Sequence, residues 1–140
     1  MRVADRLRQP PATLDPDESL ETARRLAARH GLAHIPVVRG SRLLGMLGEN
    51  DLAAVHPSAA TTLTHGEVAG RLARIPVQRV LGPEITAVGP RTPLVEAVRL
   101  MRTRRLKVLP VVRGDELVGL VTEGEMLALL EELLESATPP

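Results

Sequence analysis

Two short apolar segments flank a charged turn in the C-terminal half of the chain. Val111-Val112 and Leu117-Val118 lie on either side of residues 113–116, where Gly114 gives the backbone freedom to turn. This alternation predicts a β-hairpin. Beyond it the apolar residues change to helical spacing, so the pattern predicts that the sheet passes into a helix at Thr122. The apolar positions of that helix are Met126, Leu127, Leu130, Leu133 and Leu134.

The same pattern occurs earlier in the chain. Residues 35–51 match residues 109–125 without a gap, at an offset of 74 residues. Between residues 20–54 and residues 94–128, 14 of 35 positions are identical. An internal repeat of this length predicts that one structural unit is present twice.

The repeat also predicts how the chain is divided. The expected segments are repeat 1 at 1–60 with a loop at 56–62, a connecting segment with a short helix at 61–76, repeat 2 at 77–135, and a frayed C-terminus at 136–140. In the connecting segment, Thr64 and Glu67 have the spacing of a capping box, which favours a helix start at this point.

Each copy predicts the element order β-α-β-β-α. Two copies are too few for an open solenoid, so we expect them to close on each other about a pseudo-twofold axis. The predicted fold class is α+β, with two three-stranded sheets packed against each other and helices on the outside. Pro36 and Pro110 should lie at the start or edge of a strand, because proline donates no hydrogen bond to a ladder.

Composition excludes several classes of function. Eighteen basic and 17 acidic side chains give a net charge of +1, so no strong field attracts nucleic acid or membrane. The absence of Phe, Tyr and Trp also disfavours a binder of single-stranded nucleic acid, which stacks bases on aromatic rings. The absence of Cys excludes disulfides and thiol chemistry. With no apolar span or signal peptide, we expect a cytoplasmic protein.

Catalytic and metal-binding patterns are missing. The histidines do not have a metal-binding spacing, and no serine lies in a nucleophile-elbow context. One basic cluster has two interpretations: its cations complement the dipole of a helix C-terminus, or one of them reaches a phosphate in a cleft. The cluster consists of Arg102, Arg104, Arg105 and Lys107.

The repeated motif resembles the CBS domain, named from cystathionine beta-synthase, whose paired copies form the Bateman module. The resemblance lies in a Pro-Val-Val segment, a Gly-containing turn, an apolar-Gly-apolar strand and a relative of Thr-x-x-Asp, and it covers about residues 1–135. It implies a stand-alone regulatory module without catalysis that binds AMP, ADP, ATP or S-adenosylmethionine. The ligand would change the angle between the lobes, and a partner protein would sense that change.

The resemblance also implies site residues. In the family, the Thr hydroxyl contacts phosphate or ribose and the Asp accepts hydrogen bonds from ribose hydroxyls. The second copy has Thr122 with Glu125 in place of Asp, and the first has Gly48 in place of Thr with Asp51. The aliphatic walls for the adenine are expected at Val88, Leu109, Pro110, Ile35 and Pro36.

Two hypotheses remain open at these junctions. Thr122 and Glu125 form either a nucleotide site or the spacing of a capping box, in which Thr122 is only a helix cap. The alternative function is accordingly a structural or dimerisation module that has lost its ligand. The apolar positions of the last helix exceed what one lobe covers, so we expect a homodimer.

Overall fold

The computed structural model describes residues 1–53 and 64–137, and the predicted loop at 56–62 and residues 138–140 lie outside this range. The helices are α1 Leu20–His30, α2 Glu49–Ala53, α3 His65–Leu72, α4 Leu94–Arg104 and α5 Glu123–Ala137. The strands are β1 Ile35–Arg39, β2 Arg42–Leu47, β3 Val108–Arg113 and β4 Glu116–Thr122. Short 3₁₀ turns occur at Val3–Asp5 and Val77–Val80. The mixture of helices and antiparallel hairpins confirms the α+β class.

The chain forms two compact units. The first-repeat unit is Pro10–Ile85, and the second-repeat unit combines Met1–Gln9 with Thr86–Pro140. The first nine residues therefore pack with the second repeat, although they precede the first in the sequence.

The first-repeat unit is built on the hairpin of β1 and β2. These strands pair antiparallel from Ile35 opposite Leu47 to Arg39 opposite Arg42, and Gly40 turns the chain at φ 63°. The predicted third strand is reduced to a single parallel bridge from Leu14 to Val37. Prolines at positions 10, 11 and 16 remove backbone donors on both sides of that bridge, which explains why a longer ladder does not form.

The helix α1 covers this hairpin. Ser19 begins it, since its hydroxyl oxygen accepts a hydrogen bond from the Thr22 amide, and Gly31 ends it in the left-handed conformation. Its buried face joins a core formed by Leu14, Leu20, Ala23, Ile35, Val37, Leu47, Leu52, Leu72 and Val77. Without aromatic rings, this core depends on many aliphatic side chains, each contributing about 1.5–3 kcal/mol when fully buried.

The second-repeat unit has the same plan. β3 and β4 pair antiparallel from Val108 opposite Thr122 to Arg113 opposite Glu116, and Val88 bridges to Val111 in parallel. Here too the predicted third strand of the sheet, which comes first in the repeat, is reduced to a single bridge. The core consists of Val3, Leu94, Ala97, Met101, Leu109, Val111, Val121 and Leu129.

The N-terminal segment, residues 1–9, is bound to β4 of the second-repeat unit. The amide of Arg8 donates to the Leu120 carbonyl at 2.8 Å, and the amide of Leu120 donates to the Arg8 carbonyl at 2.7 Å. Gly119 permits this close approach, because a Cβ there would lie 2.7 Å from Leu7 Cδ1. An ion pair of 2.8 Å between Arg6 and Glu132 links the same segment to α5. The guanidinium of Arg6 has its pKa raised by the hydrogen bond to Glu132.

The matching segment of the second repeat packs in the first-repeat unit. The amide of Val77 donates to the Glu18 carbonyl at 2.8 Å, and that of Leu20 donates to the Ile75 carbonyl at 2.8 Å. Leu81 lies against Gly45, as Leu7 lies against Gly119. Each unit thus completes its fold with the segment that precedes the other repeat.

The two strand prolines occupy positions where they cost no ladder bond. Pro36 is the second residue of β1 and Pro110 the third of β3. Their carbonyls accept from the amides of Leu14 and Val88, so both peptides face the single bridge and point away from the hairpin partner. Each proline lies near the start of its strand, and its peptide faces away from the hairpin partner. The absence of its N–H group therefore leaves no carbonyl of the hairpin ladder without a donor.

Candidate functional site

The junction of β4 and α5 is held by a helix cap. Thr122 is the last residue of β4, and its Oγ1 accepts a hydrogen bond of 3.1 Å from the amide of Glu125. Helix α5 begins at Glu123. The hydroxyl oxygen accepts in this bond, so its proton remains available to donate to another group.

The carboxylate of Glu125 has a partner far away in sequence. Its Oε1 accepts from Arg8 Nη1 at 2.8 Å across a separation of 117 residues. The side chains are 66% exposed for Arg8 and 26% exposed for Glu125. An exposed ion pair of this kind contributes about 0–1 kcal/mol, so Arg8 holds the Glu125 carboxylate only weakly.

The corresponding junction of the first repeat has the complementary bond. Asp51 Oδ2 accepts from the amide of Gly48 at 2.9 Å, immediately before α2 begins at Glu49. In a capping box, the side chain of the N-cap residue binds the backbone amide of the third helical residue. The side chain of that third residue binds the backbone amide of the N-cap residue. Each repeat keeps one of these two bonds, the hydroxyl bond at Thr122 and the carboxylate bond at Asp51.

The expected walls of the site belong mainly to the two cores. Ile35 and Leu109 are fully buried, and Pro36 and Pro110 are also buried. Val88 is half-buried, and its amide donates to the Pro110 carbonyl at 3.1 Å. Three consecutive residues are buried in each strand, Ile35 to Val37 in β1 and Leu109 to Val111 in β3.

The basic cluster lines a cavity of about 360 Å³ between α4 and the start of α5. Arg102, Arg105 and Lys107 surround an apolar floor that includes Met101 and Met126. Arg105 has a φ of 54°, in the position that Gly31 occupies with φ 63° at the end of α1. Arg104 points elsewhere and donates to Thr86 Oγ1 at 3.0 Å. The structure therefore separates Arg104 from the other three cations.

The apolar positions of α5 divide between two faces. Met126 packs against the core of the second-repeat unit, as does Leu129, which the sequence pattern did not select. The remaining leucines form an exposed stripe, the α5 leucine stripe. Its members are Leu127, Leu130, Leu133 and Leu134, which are 49–61% exposed.

Residues 1–53 and 64–137 contain no group of three or more His, Cys, Asp or Glu side chains placed to hold a metal ion. No helix in this part of the chain is both long enough and apolar enough to cross a membrane.

Comparison with known proteins identifies the repeated unit. The family model described as CBS domain matches residues 3–57 and 77–132. The CBS domain-containing protein YhcV of Bacillus subtilis is 32% identical over 124 residues, which are 89% of this chain and 81% of that protein.

Two solved structures show the same fold. The structure of CBSX2 in complex with AMP has a TM-score of 0.75 and 22% identity, and the match covers 94% of this chain and 97% of that one. The CBS domain pair of MJ0100 in complex with 5-methylthioadenosine and S-adenosyl-L-methionine has a TM-score of 0.72 and 20% identity over 94% of this chain and 97% of that one.

Proposed function

Since this chain belongs to the CBS domain family, we propose that it is a cytoplasmic regulatory module that binds an adenosine-containing ligand and signals to a partner protein, with no catalysis of its own. The observation that carries the proposal is the placement of a Thr122 hydroxyl at the end of β4 and a Glu125 carboxylate on the first turn of α5. Relatives of the same fold bind AMP in one case and 5-methylthioadenosine and S-adenosyl-L-methionine in another.

The chemistry of this junction suits a nucleotide. The Thr122 hydroxyl proton can be donated to a phosphate or ribose oxygen while its oxygen still caps the helix. Glu125 accepts hydrogen bonds from ribose hydroxyls once it releases Arg8. The start of a helix of 15 residues adds a positive dipole end, which favours an anionic group.

The second repeat is the better candidate of the two. At the first-repeat junction, Gly48 supplies an amide but no hydroxyl, and that amide already donates to Asp51. A ligand there has to break a local hydrogen bond of 2.9 Å, whereas the Glu125 site has to break only an exposed ion pair. We therefore expect AMP, ADP, ATP or S-adenosylmethionine to bind first at Thr122 and Glu125.

Isothermal titration with these four ligands tests the proposal. Glu125→Gln should weaken binding at least about fivefold, because a neutral amide is a poorer acceptor for ribose hydroxyls. Arg8→Ala should leave binding equal or stronger, because it frees the carboxylate. Absence of heat with every adenosine compound at millimolar concentration would contradict the proposal.

Thr122→Val needs a control because it removes the cap as well as the hydroxyl. Thr64 provides one, since its Oγ1 accepts from the Glu67 amide at 3.1 Å, the same length as the Thr122 cap. Thr122→Val and Thr64→Val should both lower stability, by about 0.5–2 kcal/mol each. Only Thr122→Val should weaken ligand binding. Equal binding by the two variants would mean that Thr122 is a cap alone.

The α5 leucine stripe favours a second candidate function, that of a dimerisation module. We propose that a second copy of this chain covers these four side chains, because four neighbouring leucines exposed on one helix are unusual on a monomer surface. Exposed carboxylates alternate with them on α5 at Glu131 and Glu135, where they can form a polar rim. The dimer is compatible with ligand binding, and it remains as the function if titration shows no ligand.

A further inference from the structure

A second cavity in the second-repeat unit is lined by three arginines. It has a volume of about 630 Å³ and lies between the N-terminal segment, the loop before α4 and the hairpin turn. Arg2, Arg91 and Arg113, one from each of these segments, are among its lining residues. No carboxylate is among its lining residues.

This cavity is separate from the nucleotide site proposed above. Arg113 pairs with Glu116 at the turn end of the hairpin, whereas Val108 pairs with Thr122 at the other end. Five residue steps along β3 separate the ends, which is roughly 16 Å at about 3.3 Å per residue. A molecule in the cavity lined by the three arginines, the arginine cavity, therefore contacts neither Thr122 nor Glu125.

The corresponding place in the first repeat has a carboxylate where the second repeat has one of its arginines. At an offset of 74 residues, Arg113 corresponds to Arg39 and Arg91 corresponds to Asp17. In the first-repeat unit, Asp17 Oδ2 accepts from Arg39 Nη2 at 3.4 Å, and Gln78 Nε2 donates to Asp17 Oδ1 at 3.3 Å. The second repeat replaces the carboxylate that pairs with this arginine by another arginine.

Three carboxylates lie near the cavity without lining it. Asp5 accepts from the backbone amide of Arg2 at 2.7 Å, and Asp115 and Glu116 lie in the hairpin turn. Among the described residues, none of the three arginines forms an ion pair with a carboxylate. Three like charges around one cavity repel each other, and an anion placed between them removes that repulsion.

We propose that this cavity binds an anion carrying at least two phosphate charges, either free pyrophosphate or the phosphate chain of a nucleotide. Each guanidinium presents a planar fork of donors that matches two phosphate oxygens. Thr92 adds a hydroxyl proton, because its Oγ1 already accepts from the Gly89 amide at 3.1 Å. The volume lies in the range that holds small ligands.

Titration with pyrophosphate at low and high salt tests this site. Arg91→Asp restores the first-repeat charge and should weaken binding at least about tenfold, as should Arg113→Ala. Arg99→Asp is the matched control, because it makes the same charge change on an exposed position of α4 outside the cavity and should change affinity by less than about twofold. Binding should also weaken as salt is raised.

Three outcomes would overturn the proposal. They are no binding of pyrophosphate at millimolar concentration, unchanged binding by Arg91→Asp in a variant whose circular dichroism shows it to be folded, and equal weakening by Arg99→Asp. Glu125→Gln distinguishes this proposal from the proposed function, since it should leave pyrophosphate affinity unchanged. In the Glu125→Gln background, ADP binding that is tighter than pyrophosphate binding and is weakened by Arg91→Asp identifies the nucleotide as the source, and equal binding of the two identifies the free anion.

Discussion

Replacing Gly119 by alanine should loosen the N-terminal segment from the second-repeat unit. A Cβ at this position would lie 2.7 Å from Leu7 Cδ1, 3.0 Å from the Arg8 carbonyl oxygen and 3.3 Å from Leu7 Cβ. The Leu7 side chain can rotate away, but the Arg8 carbonyl is held by its hydrogen bond from the Leu120 amide at 2.7 Å. The new methyl group therefore has to displace backbone.

The expected cost follows from two estimates. Forcing an extra methyl group into a packed site costs about 1–3 kcal/mol. If the segment moves instead, the two backbone hydrogen bonds between Arg8 and Leu120 are lost, at about 0.5–1.5 kcal/mol each. Both routes predict that Gly119→Ala lowers the free energy of unfolding by about 2 kcal/mol.

Gly45→Ala is the matched control in the first-repeat unit. Its Cβ would meet only the end of the Leu81 side chain, at 3.0–3.4 Å, and no backbone atom within 4 Å is among its three nearest neighbours. Because that side chain can adjust, we expect a cost below about 1 kcal/mol. The comparison isolates the effect of the backbone contact.

Urea denaturation followed by far-ultraviolet circular dichroism measures both costs, since the chain has no Trp or Tyr for fluorescence. Hydrogen exchange should also show faster exchange at Arg8 and Leu120 in Gly119→Ala. The reasoning is refuted if Gly119→Ala is no more destabilising than Gly45→Ala, or if these two amides keep their protection.

Two further predictions concern a buried carboxylate and the exposed leucines. The carboxylate of Glu21 accepts hydrogen bonds from Arg24 at 2.6 and 2.9 Å and from Arg25 at 3.0 Å. The Arg24 bond holds the pKa of Glu21 below its usual value, so it contributes stability above the unfolded pKa of about 4.3 that is lost as pH falls through the folded pKa. Glu21→Gln should cost about 1–2 kcal/mol at pH 7, and the difference from the unmodified protein should shrink in acid. For the leucine stripe, Leu130→Glu should convert a dimer to a monomer in light scattering at tens of micromolar.

Each of these has a control. Glu96→Gln changes an exposed carboxylate on α4 and should leave denaturation unchanged, and an equal loss in Glu21→Gln and Glu96→Gln would count against the buried pair. Val95→Glu introduces a charge at an apolar position that is 53% exposed outside α5 and should keep the dimer. A monomeric unmodified protein would rule out the second-copy proposal.

The elements that could be predicted from the sequence have local signals. The hairpin turn at Gly114, the start of α3 at Thr64 and the start of α5 after Thr122 are each marked by neighbouring residues, and the structure places them as expected. The remaining elements were predicted from the repeat, because an element assigned in one copy supports the assignment of the same element in the other copy.

The parts that could not be predicted depend on contacts between distant residues. No pattern near Glu125 indicates that Arg8 is its partner, because the two are 117 residues apart. The leucines of α5 are chemically alike, so their spacing alone could not show that Leu129 faces the core while Leu130 faces out. The cavity lined by Arg2, Arg91 and Arg113 was missed for the same reason, since its three arginines come from three separate segments.

The position of the N-terminal segment also determines the order in which the molecule can be completed during translation. Residues 1–9 leave the ribosome before their partners on β4 and α5, which come more than 100 residues later, with separations of 109 residues for Gln9 to Val118 and 117 for Arg8 to Glu125. At about 5–20 residues per second, the segment waits roughly 5–20 seconds before it can bind. Its charged residues Arg2, Asp5, Arg6 and Arg8 keep it hydrated during that time. Closing this long loop is therefore a late step of folding, and the nascent first repeat is completed before the second.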